Sequence, residues 1–420
     1  MGTHIKIYRG HQIGGCVTVI RTDKTKIVID FGENLPGNDN TEELTIEGLT
    51  YGTPDVDAVF FTHYHGDHMG RLKDILPEIP LYMGSATRRV LQTIAGAREN
   101  LEMLQILGDN EHIYEFDQGE TYQIGDIKIT PYSVDHSAYD AHMFLIETPN
   151  KVILHTGDYR LHGYRGHKML EVIQKLVKKF GRRKVDVLIT EGTMMNREDD
   201  KYYTESDLQK EMTELFKKNR YVFVICSSTN LDTLASFYQA AKKNDMGVYS
   251  NWYVVDQLKN FTETAGKRAP SGIYTFDNVY SVGFGKTLIS KNGWKGTQEE
   301  LMRRFGFLIF ITKGNKDYEK WVDRFEDLKP TVIYSMWEGY KTVGNKAFNK
   351  ELYDFCKKYG AISKHTSGHA YAKDIASVIN VVAPTEAIIP IHSEKVEAFY
   401  GLDISGELKN KLWMEEEWNG

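Results

Sequence analysis

The chain has 420 residues, 41% hydrophobic and 26% charged, the balance of a globular protein of about two to three domains. A formal net charge of −6 lacks the basic excess of a general nucleic-acid binder, and no apolar run approaches the ~18 residues of a membrane span. The three cysteines, Cys16, Cys226 and Cys356, form no CxxC pair, which excludes a disulfide framework and a thiolate zinc site; with no apolar leader after Met1, the cytoplasm is the expected location.

The first third reads as strand-rich. Residues 13–20 and 26–31 are expected to form a hairpin around Thr22-Asp23-Lys24. The apolar run Val56, Ala58, Val59, Phe60, Phe61 reads as a buried strand. It leads directly into Thr62-His63-Tyr64-His65-Gly66-Asp67-His68, then a short helical pattern. Three histidines and an aspartate thus leave one strand end together. Imidazole nitrogen and carboxylate oxygen are the donors that Zn²⁺ and similar ions take. One loop cannot surround an ion, but it can supply half the ligands of two adjacent ions.

Residues 80–83 read as a strand and 85–97 as a helix capped by Ser85. Residues 114–129 read as two strands around Gly119 and Gly125, and 143–147 with 151–155 as a hairpin around Pro149-Asn150. The cluster Lys175, Lys178, Lys179, Arg182, Arg183, Lys184 is either a phosphate-facing patch or the solvated end of a helix. Residues 185–190 follow as an apolar strand.

From about Thr204 helices and strands alternate: 205–218, 221–226, 231–243 and 247–250, then strands at 307–312 and 331–334. This βαβ texture predicts a parallel sheet. Cys226-Ser227-Ser228-Thr229-Asn230 either caps a helix or holds an anion at its N-terminus. Trp252, Tyr253, Trp337 and Tyr340 could stack bases or simply pack. The last stretch offers a helix at 345–359, residues 361–366, a helix at 371–381 and a strand at 387–391; Glu415-Glu416-Glu417 reads as a solvated end.

Two ions need ligands beyond the first loop. His136, Asp158 and His392 each follow an apolar strand, the placement of the first cluster. A carboxylate such as Asp158 can bridge two ions. His142 and His155 are read as core or surface residues.

The order His63-x-His65-x-Asp67-His68, His136, Asp158, His392 resembles the metal motifs of the metallo-β-lactamase superfamily. Asp30, in Val28-Ile29-Asp30-Phe31-Gly32, matches the early aspartate that steadies the metal loop there. The resemblance implies an α/β fold, an αββα sandwich with metals at one sheet edge. It places His63, His65 and His136 on one ion and Asp67, His68 and His392 on the other, with Asp158 and a hydroxide bridging. The long gap between Asp158 and His392 resembles the β-CASP branch, where a nuclease-specific α/β domain is inserted. Glu191, in Thr190-Glu191-Gly192-Thr193, fits the branch's acidic motif, and His369, in Ser367-Gly368-His369-Ala370, its second motif. A histidine at the third, here His392, goes with RNA processing. The expected domains are 1–200 plus 345–420 for the metal-binding fold and 201–344 for the insert.

The likeness is greatest to ribonuclease J-like proteins and implies a metal-dependent hydrolase, a nuclease acting on RNA through a hydroxide activated by two divalent ions, Zn²⁺ or Mn²⁺. Asp67 or Asp158 would accept the hydroxide proton. His369, oriented by Glu191, would protonate the leaving oxygen or bind phosphate, and Ser367 and Gly368 would offer N–H groups to it. Lys313-Gly314-Asn315-Lys316-Asp317 and the segment around Met336-Trp337 depart from the family's 5′-monophosphate pocket, so 5′-exonuclease action is not implied. The chain is also expected to lack the family's C-terminal oligomerisation domain, with a homodimer left open. The competing readings are a lactone or thioester hydrolase, a DNA repair nuclease, and a metal-stabilised RNA-binding protein that does not cleave.

Overall fold

In the strand His142–Glu147, Phe144 and Ile146 point to one side and Met143 and Leu145 to the other, and all four are buried. A strand apolar on both faces must be covered on both, which calls for layers outside the sheet as well as a second sheet. The computed structural model, which describes residues 2–36, 42–109, 111–180, 184–195, 202–269, 271–289 and 295–420, has those layers. Its chain forms two compact units, Met1–Tyr202 with Gly368–Gly420, and Tyr203–Ser367.

The first unit is an αββα sandwich. One sheet runs in the order Glu417–Asn419, His4–Tyr8, Val17–Arg21, Lys26–Ile29, Ala58–Phe60, Leu81–Gly84, Ile113–Phe116. The other runs Ala387–Ile391, Val187–Glu191, Val152–His155, His142–Glu147, Ile127–Ser133, Tyr122–Ile124. Between them lie Ile20, Ile27, Ile29 and Phe60 from one sheet and Ile129, Phe144, Ile153 and Ile189 from the other. Outside the second sheet, Leu145, Leu154 and Leu188 pack with Met169 and Ile173 of the helix Gly166–Phe180 and with Ile375 and Ile379 of the helix Ala372–Val382. Each such side chain contributes about 1.5–3 kcal/mol relative to exposure.

Register fixes where the chemistry sits. Val152–His155, Val187–Glu191 and Ala387–Ile391 are mutually parallel, and Ile127–Ser133 shares their direction through the antiparallel strand between. Their C-terminal ends therefore meet at one edge. Lys26–Ile29 and Ala58–Phe60 are likewise parallel, and end at Asp30 and at the His63–His68 loop.

The second unit has a six-stranded, wholly parallel sheet: Val279–Ser281, Gly247–Ser250, Phe307–Ile311, Tyr221–Cys226, Thr331–Ser335, Ile362–Ser363. Phe223, Phe307, Ile309, Phe325 and Phe355 share its core. Residues 345–367 pack with this unit. Strand Ile362–Ser363 extends its sheet, and the Thr366 hydroxyl donates to the buried Glu205 carboxylate.

Several local expectations change. The helix Ser85–Ala97 begins after Gly84, and Ser85 does not cap it; the carboxylate of Asp140 accepts from the Ala86 and Thr87 N–H groups instead, at 3.0 Å each. Residues 114–129 belong to three strands in two sheets, because Ile113–Phe116 joins the first sheet. The C-terminus is not merely a solvated end, since Glu417–Asn419 pairs with His4–Tyr8 and buries Trp418. The helix expected from residue 345 starts at Lys350, where the Asn349 side chain accepts from Leu352 N–H. Asn230 caps the helix Leu231–Lys243 through Thr233 N–H. Arg182 and Arg183 of the basic cluster lie outside the described residues.

Candidate metal centre

The His63–His68 loop is pinned by backbone. Phe31 N–H donates to His68 O (2.7 Å), Glu33 N–H to Gly66 O (2.9 Å) and Gly15 N–H to Asp67 O (3.0 Å). A Cβ on Gly32 would lie 1.9 Å from Asp67 O, so only glycine lets the two segments approach this closely. Asp30, at φ +61°, accepts from Thr62 N–H (2.7 Å), from the Thr62 hydroxyl (2.7 Å) and from His68 Nδ1–H (2.9 Å). That fixes the His68 tautomer and turns Nε2 inward, 3.0 Å from Asp158 Oδ2.

Three ring nitrogens converge beside it. His63 Nε2 lies 3.1 Å from His65 Nδ1, which lies 3.2 Å from His136 Nε2. A tetrahedral site with metal–nitrogen bonds of about 2.0–2.1 Å has an edge of about 3.3 Å, so these separations match a shared ion. The opposite nitrogens are tied down: His63 Nδ1 to the Thr62 hydroxyl (3.0 Å) and His136 Nδ1 to Gly368 O (2.6 Å). A second group joins Asp67, His68 and His392, with His392 Nε2 3.2 Å from Asp67 Oδ2. A third joins His63, His68 and Asp158, so Asp158 reaches toward both positions. The seven candidate ligands and Asp30 lie at one sheet edge, whereas His142 and His155 fall outside these groups among the described residues.

Electrostatics fit cations. Burial, reinforced by neighbouring histidines, holds His63 and His136 well below the usual imidazole range and His65 at about 4, leaving neutral rings. Burial alone would raise Asp67 and Asp158, but His68 and His392 hold both below the carboxylate range. Burial would lower His68, yet Asp158 and Asp67 hold it well above. The centre therefore pairs ionised carboxylates with neutral rings at His63, His65 and His136 and favours positive charge. These residues fit divalent ions.

Glu191 is fully buried at the end of its strand. It accepts from Tyr159 N–H (2.9 Å) and from His369 Nδ1–H (3.1 Å), which also stands 3.5 Å from Asp158 Oδ2. Against the effect of burial, Glu191 and Asp158 raise the His369 pKa. Ser367 ends the second unit, while Gly368 and His369 open the last segment of the first. Gly368 has no room for a side chain, since a Cβ would meet Ser137 Oγ at 2.5 Å.

Sequence reasoning missed the supports. The fully buried Arg160 joins the Asp158 loop to the His136 loop, donating Nε–H to Asp135 Oδ1 (3.0 Å) and N–H to Asp135 O (2.7 Å). Thr193 meets His392 Nδ1 at 2.9 Å. A charged residue two places after a strand-end ligand was the available signal for Arg160; the threonines carry none.

A Beta-lactamase superfamily domain model matches residues 25–220. Ribonuclease J of Mycoplasma genitalium is 26% identical over 416 residues, covering 93% of this chain and 68% of that protein. Ribonuclease J of Thermus thermophilus is 24% identical over 403 residues, covering 91% and 66%. Residues 25–220 are thus similar to the β-lactamase superfamily domain, and the likeness to ribonuclease J extends over most of the chain. It spans about two thirds of the length of these ribonuclease J relatives. A crystal structure of a protein of unknown function from Enterococcus faecalis shares the fold of this chain at a TM-score of 0.73 and 20% identity, covering 100% of this chain and 99% of that one. The superfamily and the His/Asp clusters together make this a divalent-metal centre. Among the described residues no helix is long and apolar enough to cross a membrane.

Proposed function

We propose that this metallo-β-lactamase protein is a metal-dependent ribonuclease of the β-CASP, ribonuclease J-like kind, acting on RNA with two divalent ions, zinc or manganese. The observation that carries the reading is a geometric one: seven donors from four strand ends meet at one edge, beside a histidine held by a buried glutamate. The similarity to ribonuclease J over most of the chain supports RNA as the substrate.

His63, His65 and His136 would hold one ion, Asp67, His68 and His392 the other, with Asp158 between them. Bound ions supply Lewis acidity and offset phosphate charge, which makes water a nucleophile near neutral pH. Asp67 and Asp158 stand ready to accept a proton from the attacking water. Glu191 orients His369 through Nδ1, and Nε2 of this partly exposed ring would protonate the leaving oxygen or hold a phosphate oxygen. Gly368, whose carbonyl holds His136, brings bare backbone to the same place. Ser367 would add a phosphate donor. The three free, buried cysteines suit a reducing compartment, and the cytoplasm is the proposed site of action.

The test is cleavage of end-labelled RNAs bearing 5′-hydroxyl, monophosphate or triphosphate ends, with metal-stripped and metal-reloaded protein. Cleavage restored by Zn²⁺ or Mn²⁺ is the expected result, and the product lengths separate internal from end-directed attack. Metal-loaded protein that leaves every RNA intact but opens a lactone or thioester would replace this reading.

A further inference from the structure

Glu191 gathers more than His369. Its carboxylate also accepts from Tyr159 N–H (2.9 Å), Thr193 N–H (3.3 Å) and Ala370 N–H (3.4 Å). It therefore ties the turn that carries Asp158 to the turn that carries His369. Tyr159 reaches the second turn by a further route. Its fully buried ring lies in the core under the helix Ala372–Val382, with Leu188, Ala370 and Ile375.

Three polar groups meet at the end of that ring. The Tyr159 hydroxyl, Thr190 Oγ1 and Asp374 Oδ2 are all buried, and none meets another protein group in good hydrogen-bond geometry. Thr190 lies two residues on from Leu188 in its strand and so faces the same helix. Asp374 stands in the first turn of that helix, and both groups lie close enough to the Tyr159 hydroxyl to act on it. On the far side, His162 packs on Tyr371, with ring centroids 4.7 Å apart. Its Nδ1 stands 3.6 Å from Asp374 Oδ2, too far for a direct hydrogen bond and within the span of a shared water. A buried polar group left bare costs about 1–3 kcal/mol. A buried water typically makes about three bonds to such groups.

We propose that Tyr159, Thr190 and Asp374 hold one buried water, and that this joint makes Tyr159 a positioning residue for His369. The joint fastens the helix that follows His369 to the strand that carries Glu191 and to the turn that carries Asp158. His369 stands on a turn, yet it keeps its bearing because the elements on either side of it are locked together from beneath. The inference rests on the role given to His369 above.

The test is single-turnover cleavage of an end-labelled RNA by full-length, metal-loaded protein carrying Tyr159→Phe, His369→Ala or both. Tyr159→Phe keeps the ring and the backbone N–H to Glu191 and removes only the hydroxyl. Alone it should slow the saturated rate about tenfold, the worth of one buried hydrogen bond. Bound metal and the half-saturating RNA concentration should not change. In the His369→Ala background the same substitution should cost about twofold or less, because the group it positions is gone. Thr190→Val, isosteric and off the ligand turn, should show the same pattern, and it decides the matter if Tyr159→Phe loses metal or fails to fold. Parent-like rates in these variants, or a full further loss in the His369→Ala background, overturn the positioning role. A crystal structure that resolves ordered waters should show one within hydrogen-bond reach of all three oxygens, and a dry site overturns the joint. Either result leaves the ribonuclease reading standing. Metal-loaded parent protein that cleaves no RNA removes that reading and this inference with it.

Discussion

Asp30→Asn isolates the part of the centre that binds no metal. Asparagine tolerates the φ of +61° at this position, so the backbone should stay as it is. The amide oxygen can still accept from Thr62 N–H, but its NH₂ replaces the oxygen that receives the Thr62 hydroxyl and His68 Nδ1–H. A donor facing Nδ1 moves the imidazole proton to Nε2, the nitrogen that must be bare for an ion. The buried carboxylate's two lost bonds represent about 3–6 kcal/mol at most, since bonds to charged groups run at about 1.5–3 kcal/mol each. Loss of a ligand's supporting partner typically lowers metal affinity about 10–100-fold, or about 1.4–2.7 kcal/mol. Competition against a chromophoric chelator measures it, with circular dichroism confirming the fold. A folded Asp30→Asn protein whose metal affinity stays within about twofold of the parent would refute the tautomer argument.

His369→Ala should keep both ions and lose about 10²–10⁴-fold in the cleavage rate, read by single-turnover kinetics beside metal analysis; cleavage at the parent rate would remove His369 from the chemistry. Arg160→Met strands the buried Asp135 carboxylate and should destabilise the first unit by about 3–5 kcal/mol, with much of that loss recovered in Asp135→Asn/Arg160→Met; denaturant titration decides, and equal stabilities would dissolve the link between the His136 and Asp158 loops. Chelation should lower the melting transition of the first unit, because each ion held at 100 times its Kd contributes about 2.7 kcal/mol. Differential scanning calorimetry with and without chelator reads this, and an unmoved transition would argue against tight binding.

The His63–His68 cluster was legible because the ligands share one loop, where spacing alone brings them together. His136, Asp158 and His392 were legible by a weaker rule, a polar residue directly after an apolar strand, which works because parallel strands end at one edge. Nothing local marked Thr193 or Gly14, since hydrogen bonds to His392 from far along the chain leave no periodic trace, and Thr62 meets Asp30 only across 32 residues. The same reason hides the closing strand Glu417–Asn419. Glu417 and Asn419 face outward while Trp418 alone turns inward, and only pairing with His4–Tyr8 makes it a strand. The insert's parallel sheet was legible from its alternation of helix and strand, but not its end near Ser367, which depends on Thr366 reaching Glu205.

The central claim is that these distant residues gather two cations. Anomalous diffraction from crystals grown with Zn²⁺, recorded on both sides of the zinc edge, tests it directly. The account expects two peaks about 3.5–4 Å apart, one among His63, His65 and His136 and the other among Asp67, His68 and His392. A fully loaded crystal with no peak within bonding distance of Asp158, or with its zinc bound elsewhere, would contradict it.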